Sequence, residues 1–143
     1  MESNPLSCGV VVTRRLDNEA HYLLLRAYKF WDFPKGLKEE GENPLQAAIR
    51  EVEEESTLTG LRFKWGYEYR ETPAYGRYRK IARYYIAQSD SGEVALPVSP
   101  ELGHPEHDEF RWVTYQHALG LLSPRVQSIL AWAHNVITQQ STP

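Results

Sequence analysis

Residues 36–58 read GLKEEGENPLQAAIREVEEESTL, from Gly36 to Leu58, and the rest of the chain is arranged around them. The stretch opens on a glycine-punctuated turn and enters a helix at Asn43-Pro44, since asparagine is a good N-cap and proline suits the first helical position. At about 100° per residue, Leu45, Ala48, Ile49 and Val52 fall at i, i+3, i+4 and i+7 and predict one apolar stripe. Seven glutamates lie between Glu39 and Glu55. Three of them, Glu51, Glu54 and Glu55, gather on a flank of the stripe. Like charges so spaced cost about a few tenths of a kcal/mol per pair unless a cation sits among them. Hard divalent cations, magnesium first and manganese second, take clustered carboxylate oxygens and keep waters for a phosphate ligand. An acidic solvated face is the other reading of this spacing.

The 143 residues suffice for one domain, 1–143, with a proper core. The 41% apolar and 24% charged content is ordinary for a globular protein. The net charge of −3 comes mostly from the acidic helix; the mildly basic remainder suits a polyanionic substrate met through a metal. Cys8, the single cysteine, excludes an intrachain disulfide and suits a reducing compartment. Its strand-like neighbours make it a buried structural thiol. MESNPLSCG has neither a basic nor an apolar run, so no signal peptide is expected. No stretch approaches a membrane span. A cytoplasmic protein is the expectation, with no obligate protein partner indicated.

Outward from the helix, Cys8–Thr13 and His21–Ala27 predict two strands joined at Asp17-Asn18-Glu19. Arg26 ends the second, facing a phosphate site or forming a rim salt bridge. Trp31–Gly36 predicts an extended loop, since the residue before Pro34 avoids helix and Gly36 tolerates unusual backbone angles. Such a loop can aim a backbone carbonyl at a metal. Phe63, Trp65, Tyr67 and Tyr69 alternate and predict a strand over Leu61–Arg70, paired with a strand over Lys80–Ala87. Tyr67–Tyr85 holds six of the nine tyrosines and five of the sixteen Lys/Arg, Lys80 and Arg83 among them. That composition suits a nucleotide, through stacking and phosphate pairing, and equally an ordinary exposed hairpin. Ser89–His107 predicts a long irregular loop of the kind that serves as a lid. Phe110–Val113 predicts a strand and Thr114 caps a helical turn through Leu119. Ser123-Pro124 opens a last helix whose buried stripe is Val126, Ile129, Leu130, Ala133 and Ile137. The element order predicts mixed α/β with helices on both faces of a sheet.

The central stretch resembles the Nudix box, G-x5-E-x7-R-E-U-x-E-E-x-G-U, where U is bulky and aliphatic. Gly36, Glu42, Arg50, Glu51, Val52, Glu54, Glu55 and Leu58 fit. Thr57 stands where the family has glycine, so the helix exit is expected to be built differently, with Gly60 the candidate. The resemblance implies an α/β/α sandwich with a mixed sheet. It also implies metal-dependent hydrolysis of a nucleoside diphosphate linked to another moiety, with water attacking phosphorus. Carried over by position, Glu54 and Glu55 are metal ligands, Glu51 is a ligand or orienting base, and Arg50 and Glu42 orient the glutamates. The carbonyl of Lys35 is a ligand, leaving its ammonium for a phosphate. A further base or ligand often lies outside the box: Glu109 is the first candidate, Glu106 or His107 the second, against the reading that these are acidic loop residues without a metal.

Within the family, Trp31…Pro34-Lys35-Gly36 and Glu106-His107…Phe110-Arg111-Trp112 resemble the diadenosine tetraphosphate hydrolase branch. Its W-x-x-P-K-G-H opening has histidine where this chain has Leu37. That branch stacks adenine on a strand tyrosine, which Tyr84 matches, and splits diadenosine tetraphosphate asymmetrically into ATP and AMP. With it, Lys80, Arg83, Arg26 and His107 become candidate substrate contacts. Bacterial RNA 5′-pyrophosphohydrolases are similar too, which leaves an RNA 5′ end as an alternative substrate. A nucleotide-binding regulatory domain without catalysis is the alternative from another class. Such domains usually lose box glutamates, and this chain keeps them.

Overall fold

The computed structural model describes residues 4–140. Its centre is β1 (Leu6–Leu16), whose run Ser7–Thr13 is buried throughout. Asp17 and Asn18, with φ of 53° and 64°, turn the chain into β2 (Glu19–Ala27), antiparallel to β1 with Leu16 opposite Glu19. Two left-handed residues match the twist of a tight hairpin, and asparagine and aspartate tolerate that conformation best after glycine. The segment expected as a loop before the acidic helix contains two short strands. β3 (Phe30–Asp32) pairs with β2, and β4 (Lys35–Leu37) pairs with β1. Beyond the helix α1 (Pro44–Ser56) come β5 (Arg70–Glu71) and β6 (Ile81–Gln88), the latter parallel to β1 from Leu6↔Ile81 to Thr13↔Gln88. Finally β7 (Glu109–Thr114) pairs with β2, followed by α2 (Tyr115–Leu121) and α3 (Pro124–Gln140).

The seven-stranded mixed sheet carries helices on both faces, as expected. One face packs Val10, Val12, Leu23 and Tyr85 against Ala47, Ala48 and Val52 of α1. The other packs Tyr22, Leu24, Phe33, Tyr84 and Val113 against all five residues of the predicted α3 stripe. Fully burying a large aliphatic or aromatic side chain contributes about 1.5–3 kcal/mol, so these two layers hold the sandwich. Asn43 caps α1 as predicted: it accepts from the Gln46 amide at 2.9 Å while Gln46 reaches back to the Asn43 amide at 3.0 Å. Thr114 likewise caps α2.

Three expectations need correction. First, the face that α1 buries is rotated from the predicted stripe: Ile49 is 39% exposed, whereas Glu51 and Glu55 are 8% and 5% exposed. The rotation comes from the β3–β4 segment, whose backbone draws the Glu55 carboxylate inward. Second, residues 61–69 form no strand. A turn closed by the Gly66 amide on the Phe63 carbonyl, with Gly66 at φ 94°, breaks the run, and Tyr67 and Tyr69 stand exposed. On the edge of β6 away from β1, pairing is confined to Arg70 and Glu71 and an isolated bridge at Arg62. Third, the exit of α1 is built on Thr57 itself, which takes the left-handed conformation (φ 68°, ψ 1°) and donates its amide to the Glu53 carbonyl.

A β-branched residue in that conformation is strained by about 1–2 kcal/mol. Thr57 is retained with its hydroxyl on backbone carbonyls, including that of Glu93 at 3.2 Å. Glycine relieves the strain but loses that bond and adds unfolded-state freedom, together about 1 kcal/mol. The Thr57→Gly variant is therefore expected to melt at or slightly above the wild-type temperature, by up to a few degrees, in calorimetry. A large drop would show that the link to Glu93 outweighs the strain.

Candidate active site

Two close approaches make the site. Gly9 lets the Pro34-Lys35 backbone lie directly on β1, where a Cβ would strike the Pro34 carbonyl; the Val10 amide donates to that carbonyl at 3.2 Å. Gly36 then leaves room for the Glu51 carboxylate, into which a Cβ would run. With the segment fixed there, the Lys35 amide donates to Glu55 Oε1 at 3.1 Å. The segment is also tied to the core through Asp32. Its Oδ1 accepts from the Phe33 amide at 2.7 Å and from the Tyr84 hydroxyl at 2.9 Å, and its Oδ2 lies 3.8 Å from Lys35 Nζ.

On the flank of α1, Arg50 organises the acids. Its guanidinium donates to both oxygens of Glu42 (2.7 and 3.0 Å), to Glu54 at 3.0 Å and to the Leu37 carbonyl at 3.0 Å, and lies 3.4 Å from Glu51. That pairing holds the Glu42 carboxyl down at about 2.

Glu51, Glu54 and Glu55 open into a cavity of about 1150 Å³, whose lining includes Lys35, Lys80, Glu106 and His107. Across it, ligand atoms of Glu55, Glu106 and His107 all lie within 4.8 Å of one another. Burial, and then the neighbouring Glu106 and Glu51 charges, push the Glu55 carboxyl up to about 9. Burial pushes Glu51 up to about 7, against the pull of Arg50. Burial also lowers the His107 imidazole, keeping it neutral and able to ligate. Inward carboxylates that resist ionisation, grouped with a third carboxylate and a neutral imidazole, fit a divalent cation by donor chemistry.

The sign of the resulting pH dependence is fixed. Glu51 and Glu55 hold protons more tightly folded than unfolded, so between the ordinary value of 4.5 and about 9 the cation-free protein loses stability as pH rises. A cation bound there would replace those protons. Magnesium is therefore expected to raise the melting temperature, over a chelated control, more at pH 8.5 than at pH 6. An equal rise at both would separate the cation from these carboxylates.

The candidates of the sequence divide into those the cavity gathers and those it does not. Lys35, Arg50, Glu51, Glu54, Glu55, Lys80 and His107 line it, although the Glu54 side chain is 56% exposed and turned onto Arg50. Glu109 is corrected: it sits on β7 opposite Arg26, with its oxygens on Arg26 Nε at 3.1 Å and Arg111 Nε at 2.7 Å, and this pairing holds its carboxyl low. The second candidates, Glu106 and His107, lie beside Glu55 in the cavity lining. Arg26 is thereby the rim salt bridge rather than a phosphate contact. Tyr84 is also corrected: it is fully buried, edge-on to Phe33 with its hydroxyl on Asp32, and presents no face for a base. Arg83 is engaged by Glu71 at 2.7 Å and lies over the Tyr69 ring at 4.0 Å. Sequence reading passed over Asp32, whose one signal was an acid beside Trp31 in an otherwise apolar segment. Leu96–Glu101, within the loop expected over Ser89–His107, contribute to the cavity wall.

Comparison with known proteins shows the family and the fold. A model of the NUDIX domain matches residues 4–133. The bis(5′-nucleosyl)-tetraphosphatase [asymmetrical] of Mus musculus is 32% identical over 132 residues, covering 80% of this chain and 82% of that one. An RNA pyrophosphohydrolase of Shewanella sediminis is 34% identical over 101 residues, but spans 59% of this chain and 56% of the relative. The structure of a Caenorhabditis elegans Ap4A hydrolase binary complex superposes with a TM-score of 0.78 at 26% identity, covering 94% of this chain and 98% of that one. Among the described residues, no helix is long and apolar enough to cross a membrane.

Proposed function

The chain belongs to the Nudix family as a pyrophosphohydrolase, and from that premise we propose that it hydrolyses diadenosine tetraphosphate asymmetrically, to ATP and AMP, with magnesium as cofactor. Manganese is the alternative ion. The observation that carries this reading is the meeting in one cavity of the Glu55–Glu106–His107 group with Lys35 and Lys80. Carboxylates alone repel a polyphosphate, and lysines alone only bind it; together they suit binding and cleavage.

A divalent cation held by Glu55, Glu106 and His107 would neutralise charge on the phosphate oxygens and make a water more acidic. The chain's residues do the rest. Lys35 and Lys80 attract the phosphates as point charges. Asp32 restrains the Lys35 side chain, and the Lys35 amide fixes the Glu55 carboxylate. Arg50 keeps Glu42, Glu51 and Glu54 from splaying apart. A water oxygen bonds to phosphorus, the bridging P–O bond breaks, and the departing nucleotide keeps that electron pair. Glu51, buried beside Gly36 with a carboxyl near neutrality, suits uptake of the water proton.

The second reading, an RNA 5′ end as substrate, rests on the turn between Tyr75 and Lys80. It exposes Tyr78 with Arg77 5.7 Å from its ring, beside Lys80 in the cavity. Stacking and charge there suit single-stranded nucleic acid. Chromatography of products from the magnesium-loaded protein separates the readings. ATP and AMP from diadenosine tetraphosphate are expected. Intact dinucleotide together with pyrophosphate released from triphosphorylated RNA would install the second reading. Tight nucleotide binding without hydrolysis of either would leave a regulatory domain.

A further inference from the structure

Gly9 of β1 is flanked in the sheet by Lys35 of β4 on one side and Tyr84 of β6 on the other. Tyr84 is fully buried, and a phenylalanine ring would serve its packing against Phe33 as well. It carries a hydroxyl instead, which donates to Asp32 Oδ1 at 2.9 Å. The Phe33 amide donates to the same oxygen at 2.7 Å. Held at Oδ1 from two directions, the carboxylate cannot swivel, and Oδ2 is left facing Lys35 Nζ at 3.8 Å. Taking a phenol and a carboxylate out of water is costly, and apolar groups of similar volume often hold a core as well. Packing therefore does not explain the pair. A negative charge of fixed direction does one thing that a ring or an amide does not, which is to place a cation. Arg125, the other cation acting on Asp32, is turned onto the Tyr75 ring at 3.8 Å. That leaves Oδ2 to the Lys35 ammonium, and Lys35 lines the cavity. At 3.8 Å the contact is a charge pair rather than a hydrogen bond, so the ammonium keeps its donors for phosphate oxygens.

We propose that Tyr84 is a positioning residue: its hydroxyl aims the Asp32 carboxylate, which holds the Lys35 ammonium in place for the substrate's phosphates. The inference rests on Lys35 meeting phosphate, as in the function proposed above, and adds to it a residue that never touches substrate. Lysine carries its charge on a long flexible stem, and freezing such a side chain only when phosphate arrives costs binding free energy. An ammonium already held by Asp32 has met that cost on folding. The Lys35 amide, which fixes Glu55, is a separate arm of the same residue, and substitution of the side chain leaves it in place.

The test is a double-mutant cycle. Kd for inorganic tripolyphosphate with magnesium is measured by calorimetry on wild type, Tyr84→Phe, Asp32→Asn, Lys35→Gln and Lys80→Gln, and on Tyr84→Phe combined with each lysine variant. Tripolyphosphate carries the charge that Lys35 meets and no nucleoside. Tyr84→Phe and Asp32→Asn are each expected to weaken binding about three- to tenfold, the penalty of ordering one long side chain. In the Lys35→Gln background, Tyr84→Phe should change Kd by less than about twofold, while in the Lys80→Gln background it should keep its full effect. A loss of folded protein lowers the number of binding sites and not Kd. A shift of the whole 32–36 segment would reach Glu55 and persist without the Lys35 ammonium. Unchanged or tighter binding in Tyr84→Phe, or an effect undiminished in the Lys35→Gln background, overturns the proposal. No measurable binding by wild type removes the phosphate contact, and the proposal with it. Failure of wild type to split diadenosine tetraphosphate removes that substrate instead, and the tripolyphosphate cycle still decides the role of Tyr84.

Discussion

The Glu55→Gln variant is expected to turn over diadenosine tetraphosphate about three orders of magnitude more slowly than wild type while melting at the same temperature or higher. The amide oxygen still accepts from the Lys35 amide, so the segment that shapes the site stays fixed. What is lost is a negative charge held in a nearly closed position, 5% exposed, within 4.8 Å of ligand atoms of Glu106 and His107. An ionised carboxylate there is costly unless a cation matches it. Its removal therefore relieves the cation-free protein while depriving the site of a ligand. Steady-state kinetics and calorimetry on the same preparation check both halves. Full turnover in the variant would return α1 to an acidic solvated face.

Arg50→Lys is expected to lower kcat/KM about 10–100-fold, the usual effect of losing a group that orients metal ligands. The guanidinium spans Glu42, Glu54 and the Leu37 carbonyl at once and sits beside Glu51. A lysine ammonium is a single point on a flexible stem and cannot reproduce that fork. The change has a signature that activity alone lacks. The Glu42 carboxyl, held at about 2 by hydrogen bonds from Arg50, should move back toward its ordinary value of 4.5. A carboxyl lowered on folding contributes stability above its unfolded value and loses it as pH falls through the folded one. The variant should consequently begin acid unfolding at higher pH. Unaltered Glu42 titration by NMR, with unaltered kinetics, would make Arg50 a surface residue without a role in positioning.

The acidic helix was legible because its cap, its proline and its spacing act within a few residues of chain. The α3 stripe was legible for the same reason: Val126 to Ile137 repeats at the helical period and buries as a unit. The false strand over residues 61–70 shows the limit of that kind of signal. Alternating aromatics satisfy a period of two, but the turn closed at Gly66 interrupts the run, leaving only Arg62 and Arg70-Glu71 to meet the edge of β6 away from β1. The spacing gathers Glu51, Glu54 and Glu55 inward on one flank, but does not say how deeply Glu51 and Glu55 bury while Glu54 stays out. That depth depends on Gly9 and Gly36 admitting the 34–36 backbone, a contact between residues far apart in the chain. Tyr84 and Glu109 failed for one common reason: position in a motif says which residue matches, not which partner claims it first. The core and Asp32 hold the tyrosine; Arg26 and Arg111 hold the carboxylate. Glu106 and His107 reach the cavity because the loop before β7 folds back over α1, which composition alone does not specify.

The proposed function stands or falls on whether Glu55, Glu106 and His107 hold a divalent cation. Anomalous scattering from manganese soaked into crystals of the wild-type protein locates that cation directly. A single strong peak within coordination distance of Glu55 and Glu106, abolished in Glu55→Gln crystals, is the predicted result. A peak beside Glu109 instead, or one at the Glu55 cluster that persists in the variant, would contradict it.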